Sequence, residues 1–241
     1  MALTDQRIVV IGGSSGMGLA TAQAAAEAGA VVTIASSSRE RVEAARAGLP
    51  DNCDGVVLDV RDEAAVADLF ADIGELDHVV FTAGDQADRR ALKDLPLAEA
   101  RRGFEVRLWG AVAVAKHASP RIRPGGSITL TSGTASVRPI PGAPLASAGT
   151  AATEGLVLGL AVDLAPVRVN AVRAGAVRTP LWDAIPEPQR AAVLGNFAKR
   201  ALTGAVGEPG QIAAAHLYLM ENQFVTGTVL TVDGGLVLTG N

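Results

Sequence analysis

Val9-Val10-Ile11-Gly12-Gly13-Ser14-Ser15-Gly16-Met17-Gly18-Leu19 joins a short β-branched run to an Ala-rich stretch that continues to Glu27. The run reads as a buried strand and the stretch as a helix, so the glycines fall on a strand-to-helix turn. Glycine permits a tight turn there and lets a pyrophosphate approach backbone N–H groups at the helix N-terminus, where the dipole favours negative charge. Gly12, Ser14, Ser15, Gly16, Met17 and Gly18 are therefore expected to cradle a dinucleotide. Outward from this turn, similar runs recur between Ala-rich stretches: Val31-Val-Thr-Ile34, Val56-Val-Leu58, His78-Val-Val-Phe-Thr82, Ile128-Thr-Leu130, Val167-Arg-Val-Asn-Ala-Val172 and Val229-Leu-Thr-Val232. That alternation predicts an α/β, Rossmann-type doubly wound parallel sheet of about seven strands with helices on both faces. No repeat or linker divides the chain, and residues 1–241 read as one dinucleotide-binding domain.

An NAD site places an Asp or Glu at the end of the second strand, about twenty residues beyond the glycines, because a carboxylate holds the ribose 2′-hydroxyl and repels a 2′-phosphate. This chain has Ser36-Ser37-Ser38-Arg39. Three hydroxyls and a guanidinium suit a 2′-phosphate, so NADP is expected rather than NAD. Ser38 also suits the cap of a helix beginning at Arg39, and both roles can hold together.

The net charge of −4 is dispersed, with no basic stripe to neutralise a nucleic-acid backbone. The lone Cys53 cannot form an internal disulfide, and His78, His117 and His216 are too scattered for a metal cluster. Gly or charge interrupts each apolar stretch before it could span a bilayer, so the expectation is a cytoplasmic protein without a membrane partner. The irregular stretch from Ala174 to about Gln189, with Pro180, Pro186 and Pro188, is a candidate lid over a small-molecule substrate.

Taken in order, these features resemble the short-chain dehydrogenase/reductase family over nearly the whole chain. Gly12-x-x-x-Gly16-x-Gly18 is similar to its glycine motif, Asp59-Val60 to its adenine-contacting pair and Thr82-Ala83-Gly84 to its Asn-Ala-Gly. Ser132 stands where its catalytic serine follows the fifth strand. The run from Asn170 through Gly175, Val177 and Thr179 resembles the segment that closes over the nicotinamide, with Ala174 where Pro is usual. Val225-Thr-Gly-Thr-Val-Leu-Thr-Val-Asp233-Gly-Gly resembles the last strand and turn. The resemblance implies a homo-oligomer, a tetramer or dimer.

It also implies a Tyr-x-x-x-Lys pair for hydride transfer, and counting from Ser132 places that motif on Leu145-Ala-Ser-Ala-Gly149. Neither residue is there, and Arg107 stands for the usual helical asparagine. The only tyrosine, Tyr218, lies in a helical pattern suited to core or interface packing, and Lys93, Lys116 and Lys199 lie outside the motif helix. Arg107 stays protonated at neutral pH, but it can polarise a carbonyl, hold a carboxylate or pair with an acid such as Asp85. Asp85 could orient Arg107 or act as the missing acid, Asp88 lies in the same loop, Ser132 and Thr134 could donate hydrogen bonds, and Trp109 is expected to pack in the core. Three readings stay open. One is a reductase of a carbonyl or an activated imine or iminium; the others are a non-redox cyclase or isomerase and a catalytically silent nucleotide-binding or regulatory protein.

Overall fold

A computed structural model describes residues 3–84 and 90–239. Its strands are β1 (Arg7–Ile11), β2 (Val31–Ser36), β3 (Cys53–Val57), β4 (Leu76–Phe81), β5 (Ile122–Gly133), β6 (Arg168–Ala174) and β7 (Val229–Val232). All seven pair in parallel in the order β3-β2-β1-β4-β5-β6-β7, so the order reverses between β1 and β4. The carboxyl edge at that reversal is where a doubly wound sheet leaves a crevice for a ligand.

The helices are α1 (Gly16–Glu27), α2 (Arg39–Gly48), α3 (Glu63–Ile73), α4 (Leu97–Arg102), α5 (Ala111–Ala118), α6 (Pro144–Asp163), α7 (Gln189–Arg200) and α8 (Pro209–Glu221). Ala22 and Ala25 of α1, Ala45 of α2 and Met220 of α8 close one face of the sheet, against Val10, Val32, Ile34 and Val80. Phe70 of α3, Val114 of α5 and Val157 of α6 close the other, against Val9, Val79, Ile128 and Val169. Strands buried on both faces have no polar side to alternate with, which is why their sequence reads as continuous β-branched runs.

Between α4 and α5 the backbone widens into a π-type turn over Glu105–Gly110, where Trp109 N–H donates to the Phe104 carbonyl five residues back at 3.0 Å. Gly110 allows it, since a Cβ there would fall 2.6 Å from Val60 Cγ2. The turn leaves Trp109 58% exposed, contrary to the expectation that it packs in the core. Tyr218 is also half-exposed, with its hydroxyl accepting from Asn222 Nδ2 at 3.0 Å.

Candidate functional site

The Gly12–Gly18 turn is formed as its residue types require. Gly12 has φ +83° and Gly16 φ +52°, both in the region that favours glycine. Gly12 N–H donates to the Ala35 carbonyl at 2.8 Å, which fixes the turn to the end of β2. A Cβ on Gly18 would lie 2.3 Å from the Gly12 carbonyl oxygen and 2.5 Å from Thr82 Oγ1. Thr82, in the place of the family's asparagine, holds the turn from β4, its hydroxyl 3.1 Å from the Ile11 and 3.2 Å from the Gly12 carbonyl oxygens. Ser15 occupies the N-cap of α1 without a side-chain capping bond, and the first turn carries no acid. Ser14 and Met17 lie in the same loop and first turn. Uncapped N–H groups at a helix start that glycine lets pack directly on the turn fit an anionic pyrophosphate.

The adenosine end is mixed. Ser38 caps α2, accepting the Arg41 N–H at 3.3 Å, while Ser36, Ser37 and Arg39 stand around the start of that helix. Arg39 is exposed and lies 3.9 Å from Glu43. The Asp59 carboxylate accepts the Arg61 backbone N–H at 3.0 Å and its Nε at 2.9 Å, and these bonds hold its pKa below the ordinary range. Val60 is buried against Gly110.

At the end of the crevice that the resemblance assigns to the nicotinamide, Ala83 and Gly84 follow Thr82, and Thr179 comes so close to the glycine turn that a Cβ on Gly16 would lie 3.2 Å from its Cβ. Gly175 permits the approach of the turn after β7, since its own Cβ would fall 2.6 Å from Asp233 Cα. The segment expected to act as a lid is anchored: Trp182 is buried, donates Nε1–H to the Val177 carbonyl at 2.7 Å and packs on Phe197 with ring centroids 5.8 Å apart. Thr179, Pro180, Trp182 and Leu194 help line a cavity of about 840 Å³.

The π-type turn directs Arg107 inward. A Cβ on Gly84 would fall 2.5 Å from its Nη2, and one on Gly149 would fall 3.8 Å from its Cδ. The side chain thus runs over Gly149 and sets its guanidinium against Gly84, through space that a larger residue at position 149 would take. Asp85 and Asp88 lie outside the described residues. Leu145 and Gly149 both lie on α6, as the sequence places them, and Thr150 spends its hydroxyl on the Ala146 carbonyl at 2.8 Å.

Ser132 belongs to β5 itself rather than following it. Its Oγ lies 2.8 Å from Glu154 Oε1 and 3.1 Å from the Thr150 carbonyl oxygen, so a substrate would compete with both for its one proton. Glu154, which the sequence analysis did not single out, also accepts from Ser136 Oγ at 2.7 Å. It takes Arg173 side-on, Nε to Oε1 at 2.8 Å and Nη2 to Oε2 at 2.7 Å. Burial works to raise the Glu154 pKa, but the Arg173, Ser136 and Ser132 hydrogen bonds outweigh it and hold the carboxyl below its ordinary range. A signal was present: Glu154 is the one charged residue in α6 before its terminal Asp163, and Arg173 sits among the apolar residues of β6. Charges in such settings require partners.

Comparison with known proteins covers the whole site. The family described as Enoyl-(Acyl carrier protein) reductase matches residues 12–237. The chain is 37% identical to the short-chain dehydrogenase/reductase ucsE of an Acremonium species, over 98% of this chain and 97% of that protein. The solved structure of the MalC Reductase/Diels-Alderase from Malbranchea aurantiaca superposes with a TM-score of 0.92 at 33% identity, covering 98% of both chains. A small-chain dehydrogenase in complex with NADPH superposes with a TM-score of 0.86 at 34% identity, covering 97% of this chain and 99% of that one.

Proposed function

Because the chain belongs to the short-chain dehydrogenase/reductase family, we propose that it is an NADP(H)-dependent oxidoreductase of unusual mechanism, reducing a carbonyl or an activated imine or iminium in a small molecule. One observation carries the mechanism. The guanidinium of Arg107 lies against Gly84, over Gly149, in a site that has Leu145 and Gly149 where the family's tyrosine and lysine would fall. Gly12 to Gly18 would hold the pyrophosphate, Ala83, Gly84, Gly175, Val177 and Thr179 would enclose the nicotinamide half, and Asp59 and Val60 would border the adenine. Bound there, NADPH would supply the hydride. Arg107 stabilises the negative charge that develops on a carbonyl oxygen, with the proton coming from water. Asp85 would orient Arg107 or serve as the missing acid, and Ser132 would supply a secondary hydrogen bond.

The two substrate classes separate in one experiment. For a carbonyl substrate, Arg107→Ala is expected to cost about 2–4 kcal/mol in transition-state stabilisation, more than Ser132→Ala, which removes one neutral hydrogen bond. An iminium gains no stabilisation from a neighbouring cation and needs no proton, so Arg107→Ala should leave its reduction intact. Consumption of NADPH with panels of ketones, enones and cyclic imines, with cofactor affinity measured separately, decides between them. Unchanged turnover on every substrate would return Arg107 to a packing role.

The preference for NADP rests on Ser36, Ser37, Ser38 and Arg39, at the start of α2. Arg39→Ala should weaken NADPH roughly tenfold to a hundredfold and leave NADH unaffected, the range for loss of one charge-assisted contact. Titration of both cofactors checks this, and an unaltered preference removes the argument.

A second reading, cyclisation of a substrate held in the same pocket, is favoured by the structural neighbour that is titled both a reductase and a Diels-Alderase. Formation of a cyclised product without NADPH oxidation would establish it. Self-association is part of the proposal. On α6, Leu158 is 57% and Val162 82% exposed, and a second copy of the chain as a dimer or tetramer would cover them. The setting proposed is cytoplasmic. The apolar length of Pro144–Asp163 alone would suit a membrane, yet that helix carries Glu154 in a buried ion pair with β6.

A further inference from the structure

The Glu154 carboxylate touches more of the site than any other side chain described, and the proposed mechanism gives it no role. It reaches from the middle of α6 to Ser132 near the end of β5, to Ser136 in the turn that follows, and to Arg173 on β6. Arg173 continues to Thr231 Oγ1 of β7 at 3.0 Å, and Asp233 adds a further favourable charge nearby. Both side chains of the pair are about 15% exposed, at 16% for Arg173 and 15% for Glu154. One position after Arg173 the chain leaves the sheet at Ala174 and enters the segment containing Gly175, Val177 and Thr179, of which Thr179 lies over Gly16 of the cradle.

We propose that Glu154 is a positioning residue for the nicotinamide half of the cofactor site: with Arg173 it joins the turn after β5 to the 174–179 segment, so that both present one fixed surface. This rests on the cofactor reading above. The geometry favours positioning over general stabilisation because both arms of the clamp end at elements that enclose the crevice. A side-on pair resists rotation of Arg173, whereas a single contact would act as a pivot. The second carboxylate oxygen is the element that matters, since Oε1 takes both hydroxyls and Arg173 Nε while only Oε2 takes Nη2.

The test separates the two halves of the cofactor. Equilibrium binding of NADP+ and of 2′,5′-ADP, which carries only the adenine half, is measured for the unmodified protein and for Glu154→Gln. The glutamine keeps the shape and an acceptor oxygen but cannot bind Arg173 through two acceptors. NADP+ affinity is expected to fall about tenfold, the size of one charge-assisted contact, while 2′,5′-ADP is held as before. Ser136→Ala removes a single arm and is expected to shift NADP+ in the same direction by about twofold, which keeps the test usable if Glu154→Gln does not fold. Equal loss for both ligands would make Glu154 a general stabiliser and overturn the proposal, as would unchanged NADP+ affinity in both variants. Unmodified protein that binds neither ligand would overturn the cofactor reading, and the proposal with it.

Discussion

Replacing Gly18 with valine is expected to abolish dinucleotide binding while the sheet still assembles. The clash is with backbone: the first carbon added at Gly18 meets the Gly12 carbonyl oxygen at 2.3 Å and its carbon at 2.9 Å. A flexible side chain could move aside, but Gly12 is fixed by its hydrogen bond to Ala35 and by its positive φ. The loop must therefore move off α1, and the N–H groups that would converge on a pyrophosphate no longer do so. Two such charge-assisted bonds lost together correspond to about 3–6 kcal/mol, roughly a hundredfold to ten-thousandfold in affinity. Overpacking itself costs about 1–3 kcal/mol of stability, which a domain of this size withstands. Titration with NADPH beside a thermal melt measures both effects. A folded Gly18→Val protein with normal NADPH affinity would refute the cradle.

Acid is expected to destabilise the fold well above the range in which carboxylates titrate. His78 and His216 are both buried, and burial lowers each pKa to about 4, with the neighbouring Arg168 charge contributing at His78. Thr21 accepts the His216 Nδ1–H, because its own proton goes to the Met17 carbonyl, and His216 Nε2 has no partner among the described residues. A second proton there would be buried without an acceptor. Since the folded-state pKa values lie below the unfolded value of about 6.5, this stability is complete above that pH and is lost as pH falls toward 4. Between about pH 7.5 and pH 5 each histidine should remove about 2 kcal/mol, together about 4 kcal/mol. Urea unfolding at the two pH values measures the loss, and His216→Leu should halve it. Equal stability at both would show that the histidines titrate normally in the folded state.

The strands and the Gly12–Gly18 turn are legible in the sequence because their physical demands fall on single residues. A strand buried on both faces must be apolar throughout, and a turn with positive φ beside a close contact must be glycine. β5 begins at Ile122 rather than at Ile128, where the β-branched run starts; its opening Ile122-Arg-Pro-Gly-Gly126 has the composition of a turn, and Asp54 and Gly55, which an edge strand tolerates, hide the start of β3. The π-type turn leaves no mark in composition, since one hydrogen bond to the fifth residue back replaces one to the fourth, and so the exposure of Trp109 was missed. The contacts of Glu154 with Ser132 and Arg173 join residues on separate elements, and only the assembled sheet brings them together. Arg107 stood out because it departs from a resemblance, but its path over Gly149 to Gly84 depends on the tertiary fold.

The widened turn at Glu105–Gly110 also bears on how such a site arises and how it is lost. A helix that must keep both ends packed absorbs an inserted residue as a bulge of this kind, and excising one residue closes it again. Each residue advances an α-helix by about 100°, so removing Leu108 would swing Arg107 by that angle relative to α5 and carry its guanidinium away from Gly84. A single in-frame codon deletion would thus move the guanidinium off Gly84, so its approach there is inherited as helical phase as much as through the arginine itself.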